Sequence, residues 1–185
     1  MNYSKSFLIK PKSKIKLAEI DPNFTDKHES KKDAIKLIEQ NNMRIRELQE
    51  LLYAEHKRSL LICLQGIDTA GKDGTIRHVI GAMNPQGCKV ISFKQPNSLE
   101  NDHDFLWRAY RDLPAKGDIT VFNRSHYEDV LAVRIHNLTP KPIWIKRYDQ
   151  INVMEKYISD NNTHIIKFFL HISKDEQLKR LKRTS

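Results

Sequence analysis

The sequence predicts an α/β domain: a parallel sheet covered by helices on both faces, in three layers. Three observations carry that expectation. Short, nearly continuous apolar runs recur at Ser59–Gln65, Lys89–Phe93, Ile119–Phe122 and Ile165–His171. Strands buried on both faces of a parallel sheet have this composition, whereas half-exposed strands alternate. Segments of helical character separate the runs, at Lys72–Met83, Asp102–Asp112 and Trp144–Ile158, and such alternation is the pattern of a parallel α/β sheet. Finally, the first run leads straight into a glycine-bearing loop that ends in lysine, Gly66 to Lys72. A chain of 185 residues suffices for one such domain with its own core.

Taken in order, residues 1–30 are polar and lysine-rich, with Pro11 and Pro22 as breakers. They read as an extended arm lying on a domain that occupies 31–185. From Asp33 to Tyr53, Ala34, Ile38, Ile45, Leu48 and Leu52 recur at helical spacing and define one apolar face. The four strands and three helices named above follow, and Lys174–Lys182 reads as one more helix. Cys63 lies within an apolar run and reads as a small buried thiol. With Cys88 as the only other cysteine, neither a disulfide framework nor a zinc site is expected.

The formal charge is +9, which calls for an anionic partner without choosing among nucleic acid, anionic membrane, nucleotide and polyphosphate. No nucleic-acid reading motif accompanies the charge, so nucleic acid is the weakest of these. No window of about 18 apolar residues exists, so a membrane span is not expected. The stretch Met1–Lys16 alternates lysine with apolar residues and lacks the continuous apolar run of a secretion signal. A cytoplasmic location is the expectation.

The loop Gly66-Ile67-Asp68-Thr69-Ala70-Gly71-Lys72-Asp73-Gly74 matches G-x-x-x-x-G-K between a strand and a helix. Gly66 and Gly71 permit backbone conformations that other residues resist. The N–H groups of Gly66, Thr69, Ala70, Gly71, Lys72, Asp73 and Gly74 can then converge on phosphate oxygens at a helix N-terminus. Lys72 adds a positive charge directed at the phosphate being transferred. A Ser or Thr usually follows the lysine and binds magnesium; here Asp73 stands there. Asp68 lies inside the loop, where a carboxylate repels phosphate unless a metal sits between, so it is a candidate Mg²⁺ ligand, directly or through water. Asp73 has two readings, a metal-side ligand or a cap of the helix N-terminus.

A second constellation follows the strand Ile119–Phe122: Asn123-Arg124-Ser125-His126-Tyr127-Glu128-Asp129. Nucleotide kinases with this type of loop commonly carry Asp-Arg at the strand end, the Asp serving the metal and the Arg a phosphate. Asn123 removes that carboxylate, and Glu128 or Asp129 are the acids that could replace it, or else simply open a helix. Arg124 stands at the carboxyl end of a parallel strand, the edge where open α/β sheets bind ligands. Arg134, with Lys94, Arg108, Arg111, Lys141, Lys146 and Arg147, could extend an anion track, each singly also readable as a solvated surface charge. Phosphoryl transfer rests on positioning and charge neutralisation more than on acid–base chemistry, so His126 is read as a supporting residue. Trp107 and Trp144 are read as packing residues.

Residues 7–183 resemble the polyphosphate kinase 2 family, and most closely the branch that phosphorylates both nucleoside mono- and diphosphates. The carrying stretches are LQGIDTAGKDGTIRHV (64–79), NPQGCKVISFK (84–94), HDFLWR (103–108), FNRSHYEDVL (122–131) and FFLHISKDEQ (168–177). The resemblance implies a P-loop NTPase core of the thymidylate-kinase type and Mg²⁺-dependent transfer between polyphosphate and ADP or AMP, giving ATP or ADP. It also implies homo-oligomers, dimers or tetramers. By matching position, Asp68 and Lys72 serve the phosphates and metal, while Arg124 and Arg134 hold the phosphate chain. Asn123 is shared with the mono-and-diphosphate branch.

The resemblance also implies a basic lid, another strand and another helix after the last helix read here, and the chain stops at Ser185, where that lid would begin. The expectation is therefore weak or absent activity for these 185 residues. Two alternatives stand beside the polyphosphate-using enzyme: an ATP-dependent kinase of a small molecule, and an impaired domain that only binds polyanions. A screen of phosphate donors separates them.

Overall fold

A computed structural model describes residues 3–24 and 30–184. Four strands, β1 (Ser59–Gly66), β2 (Cys88–Ser92), β3 (Ile119–Asn123) and β4 (Thr163–Leu170), form one sheet in the order β2-β3-β1-β4. All three pairings are parallel; Cys63 lies opposite Phe122 on one side and Lys167 on the other. The pleat splits β1 between two cores, because successive side chains face opposite ways. Leu61 and Cys63 join Phe93, Phe122, Val130, Ile151 and Met154 on one face. Ile62 and Leu64 join Ile80, Ile119 and Val121 on the other. The three-layer α/β architecture expected from the sequence is therefore present. Burial pushes the Cys63 thiol up to about 12, as an inert structural cysteine requires.

The doubly buried pattern holds for the central strands β1 and β3 only. β2 and β4 stand at the sheet edges, and Val90, Ile166, Phe168 and Phe169 are exposed on them. An apolar run thus identified strands correctly, but it overstated the burial of two of them.

Five longer helices surround the sheet: α1 (Lys31–Glu55), α2 (Lys72–His78), α3 (Glu128–Ile135), α4 (Lys141–Asp160) and α5 (Lys174–Thr184). In α1 the docking face differs from the apolar one expected. Ile38 and Leu48 are exposed, while Gln49 is buried and clamps Asn84, its Oε1 accepting from the backbone N at 2.7 Å and its Nε2 donating to the carbonyl at 2.8 Å. Asn42 and Arg46 on the same side donate to the carbonyls of His78 and Ala82. The helix docks against backbone groups at the end of α2 and just after it that would otherwise lack partners, so polar side chains occupy its inner face.

The expected helix at 72–83 is α2 followed by a 3-10 turn, Ile80–Ala82. The expected helix at 102–112 is not continuous: a short helix occupies Trp107–Arg111, and another, Ser98–Asn101, precedes the segment. Asp104 accepts from the Leu106 backbone N at 2.9 Å, a local turn that competes with helix in that position. In the amino-terminal segment, the carbonyl of Ile20 accepts from His171 Nε2 at 3.2 Å, just past β4. No described helix is long and apolar enough to cross a membrane.

Candidate active site at the carboxyl end of the sheet

The carboxyl ends of β1 and β3 open onto one cavity of about 1400 Å³, whose wall includes Asp68 to Gly74, Lys94, Asn123, Arg124, Glu128, Arg147 and Arg180. The loop that leaves β1 is built by close approach. A Cβ on Gly66 would stand 2.8 Å from the carbonyl oxygen of Leu170, so only glycine fits against the end of β4. Gly71 has φ of 104°, in the region that favours glycine. Helix α2 begins at Lys72, and its free N–H groups and dipole face the cavity.

Lys72 is buried, and its Nζ donates to the carbonyls of Gly66 at 2.8 Å and Ile67 at 3.1 Å. Burial lowers its pKa, the Arg124 cation lowers it further, and the carboxylates of Asp68, Glu128 and Asp73 oppose both. Arg124 is held by the last turn of the sheet. Its backbone N donates to Leu64 of β1 at 3.0 Å, and its φ is 63°. Its guanidinium meets Asp68 at 2.7 Å and Glu128 at 3.8 Å. The structure therefore brings together Asp68, Lys72, Arg124 and Glu128, across 56 residues of sequence between Asp68 and Arg124.

Asp73 and Asn123, which each depart from the usual motif, prove to be partners. Asn123 Nδ2 donates to Asp73 Oδ1 at 2.7 Å. A carboxylate and a donor still join the loop to the strand end, with the carboxylate on the loop.

Three of the sequence candidates stand differently from the expectation. Asp129 lies on the cavity wall but is largely buried, and its carboxylate is already engaged by Arg108 Nη2 at 2.7 Å. Arg108, expected on an anion track, is likewise buried, with a second bond to the carbonyl of Lys94 and its guanidinium over Phe93. Arg134 is exposed outside the cavity wall, over the ring of Trp144 at 5.4 Å. The periodic pattern could not see these commitments, because each depends on contacts between elements.

Arg180 was missed. From α5 its Nη1 donates to the carbonyls of Thr69 at 3.0 Å and Ala70 at 3.1 Å, and Gln177 donates to the carbonyl of Asp68. The outward carbonyls of the phosphate loop are thereby satisfied by one helix.

The model of the family "Polyphosphate kinase 2 (PPK2)" matches residues 27–185. The chain belongs to the polyphosphate kinase 2 family. It is 47% identical over 178 residues to the AMP/ADP-polyphosphate phosphotransferase of Meiothermus ruber, covering 96% of this chain and 67% of that protein. It is 45% identical over 189 residues to the ADP-polyphosphate phosphotransferase of Rhodopseudomonas palustris, covering 96% of this chain and 65% of that one. The crystal structure of polyphosphate kinase 2 from Arthrobacter aurescens TC1 superposes with a TM-score of 0.88 at 44% identity, over 92% of this chain and 62% of that chain. The chain thus spans about two thirds of the length of these polyphosphate kinase 2 relatives.

Proposed function

We propose that this chain transfers phosphoryl groups between inorganic polyphosphate and adenine nucleotides, polyphosphate with ADP or AMP giving ATP or ADP. The observation that carries the reading is the convergence of Lys72 and Arg124 on one cavity at a helix N-terminus, in a member of a family whose relatives are named for this reaction. In this reading the backbone N–H groups of the loop from Gly66 to Gly74 bind phosphate oxygens. Lys72 exchanges its two loop carbonyls for a phosphate. Arg124 leaves Asp68 and neutralises charge on the transferred group. Arg134, outside the cavity wall, would meet only a chain that extends beyond it.

Mg²⁺ is the expected cofactor. Among the described residues no group of three His, Cys, Asp or Glu side chains gathers as a metal site. Mg²⁺, however, commonly takes only one or two carboxylates and completes its shell with phosphate oxygens and water. Asp68 and Glu128, which flank Arg124 on the cavity wall, fit that demand. When bound, the ion would be held by these carboxylates and would supply positive charge to offset that of the phosphates. Asp129, tied to Arg108, would orient α3 rather than ligate.

Homo-oligomerisation belongs to the same reading and is checked by light scattering. The deciding experiment supplies the purified chain with AMP or ADP and either polyphosphate or ATP as donor. Polyphosphate-dependent formation of ATP or ADP supports the proposal. Transfer from ATP alone to another acceptor would favour a small-molecule kinase, and tight polyphosphate binding without transfer would leave a binding domain.

A further inference from the structure

Beside the cavity, and outside its wall, lies a polar cluster, buried at His126 and open to solvent at Lys167, that the phosphate chemistry does not use. Glu155 of α4 is its centre. Its Oε1 accepts from Tyr127 Oη at 2.8 Å and meets His126 Nε2 at 3.2 Å. Its Oε2 accepts from Lys167 Nζ of β4 at 2.7 Å, and Lys167 also donates to Tyr127 Oη at 3.0 Å. His126 is fully buried. Burial alone would raise the Glu155 pKa, but the hydrogen bonds from His126, Lys167 and Tyr127 outweigh it and hold the group at about 2. A carboxylate oxygen accepts here, so His126 donates to it from Nε2. Its Nδ1 is left buried with no partner among the described residues.

Ionic networks drawn partly out of water seldom stabilise a fold better than apolar packing of the same volume. What this one fixes is more telling. His126 and Tyr127 follow Arg124 by two and three residues, and Arg124 has a left-handed φ of 63°. A non-glycine residue keeps such a conformation only where its surroundings over-determine it. On the near side, Arg124 is tied to β1 through Leu64, and the Gln65 amide lies 2.8 Å from Ser125 Oγ. On the far side the only side-chain anchor of His126 among the described bonds is Glu155.

We propose that Glu155 is a positioning residue: acting through His126 and Tyr127, it holds the turn that aims the Arg124 guanidinium into the phosphate cavity. The inference rests on the reading of that cavity as a polyphosphate site. It predicts that Glu155 matters to phosphate only while Arg124 is present.

A double-mutant cycle on the full chain tests this, with tripolyphosphate as the probe and calorimetry as the readout. Two substitutions loosen the anchor, Glu155→Gln and His126→Phe, the second keeping a buried ring. Each is combined with Arg124→Ala. Each should weaken tripolyphosphate binding about fivefold when Arg124 is present, and less than about twofold when it is absent, as coupled neighbours do. Equal weakening in both backgrounds, or none in either, overturns the proposal. If neither variant shows a melting transition, the network holds the fold rather than the turn, and the proposal also fails. A wild-type chain that binds tripolyphosphate but transfers nothing to ADP defeats the proposed activity and leaves the cycle readable. An active wild type with additive variants defeats the positioning role alone.

Discussion

In the proposed function Lys72 is the side chain on which the chemistry turns, and its environment bears on that role. In the loop it satisfies two carbonyls, and burial together with Arg124 lowers its pKa. In the proposed function a phosphate entering the loop replaces those carbonyls with a stronger acceptor. Lys72→Ala should therefore lower the rate of ATP formation roughly 10²-fold, as loss of one preorganised charge-stabilising donor does; unchanged kinetics would make the loop structural. The pair Asp73–Asn123 invites a sharper test. Asn123→Asp sets two carboxylates against each other at a contact of 2.7 Å and should depress both activity and melting temperature. Asp73→Asn added to it restores one donor and one acceptor and should recover most of the loss in melting temperature. Neither departure could be paired from sequence, since each was legible only as a deviation from its own motif. Glu155 gives a pH signature. Its folded pKa is about 2 against an ordinary 4.5, so the folded state binds the proton less tightly than the unfolded state. Its stabilisation is present above 4.5 and lost as pH falls through about 2. The gap in melting temperature between wild type and Glu155→Gln should be constant near neutrality and close on acidification across that window.

Helix α5 acts on the site as a unit, because one face of it satisfies the outward carbonyls of the loop whose inward N–H groups face the cavity. A single guanidinium, Arg180, bonds two of them, and a Cβ on Gly71 would lie 3.3 Å from it. Arg180→Ala should weaken tripolyphosphate binding about tenfold, the range expected for hydrogen bonds to a charged group. Amide exchange at Thr69 to Asp73 should quicken while the central strands keep their protection. Unaltered exchange in the loop would show that α5 merely rests beside it. This contact explains what the sequence did and did not disclose about the elements. Strands β1 and β3 and the long helices were legible from apolar runs and helical spacing, because burial by neighbours on both sides leaves a strong pattern. Helix α3 was seen only as a possible helix start at Glu128, because its inner face mixes the buried Asp129 with Val130. The segment 102–112 was misread because Asp104 spends its carboxylate on a local turn. The inner face of α1 was misread because Gln49, not an aliphatic residue, fills its centre. In each case a polar side chain satisfying another element's backbone overrode the hydrophobic period.

The molecule as a whole carries a formal charge of +9, but the distribution of that charge decides what it can do. Several of its cations are already committed: Arg108 to Asp129, Lys167 to Glu155, Arg111 to Glu100 and Asp112. Around the cavity Lys72, Lys94, Arg124, Arg147, Arg180 and Arg183 all contribute to the wall, facing the carboxylates of Asp68, Asp73 and Glu128. The residual field is positive and local. A nucleotide places a few charges within this wall, close to its partners and shielded from solvent ions. In the proposed function a long polyphosphate would also run past the cavity rim over exposed cations such as Arg134, where salt screens contacts beyond about 8–10 Å at ordinary ionic strength. Polyphosphate should therefore lose affinity more steeply with salt than ADP does, and more steeply as its chain grows beyond tripolyphosphate. Calorimetric titrations of ADP, tripolyphosphate and a long polyphosphate across a series of salt concentrations measure the three slopes. The long chain should show the steepest slope, and Arg134→Ala should reduce that slope while leaving the tripolyphosphate slope unchanged. Three parallel slopes would mean that the chain is gripped only inside the cavity, and the idea of an extended basic track outside it would have to be abandoned.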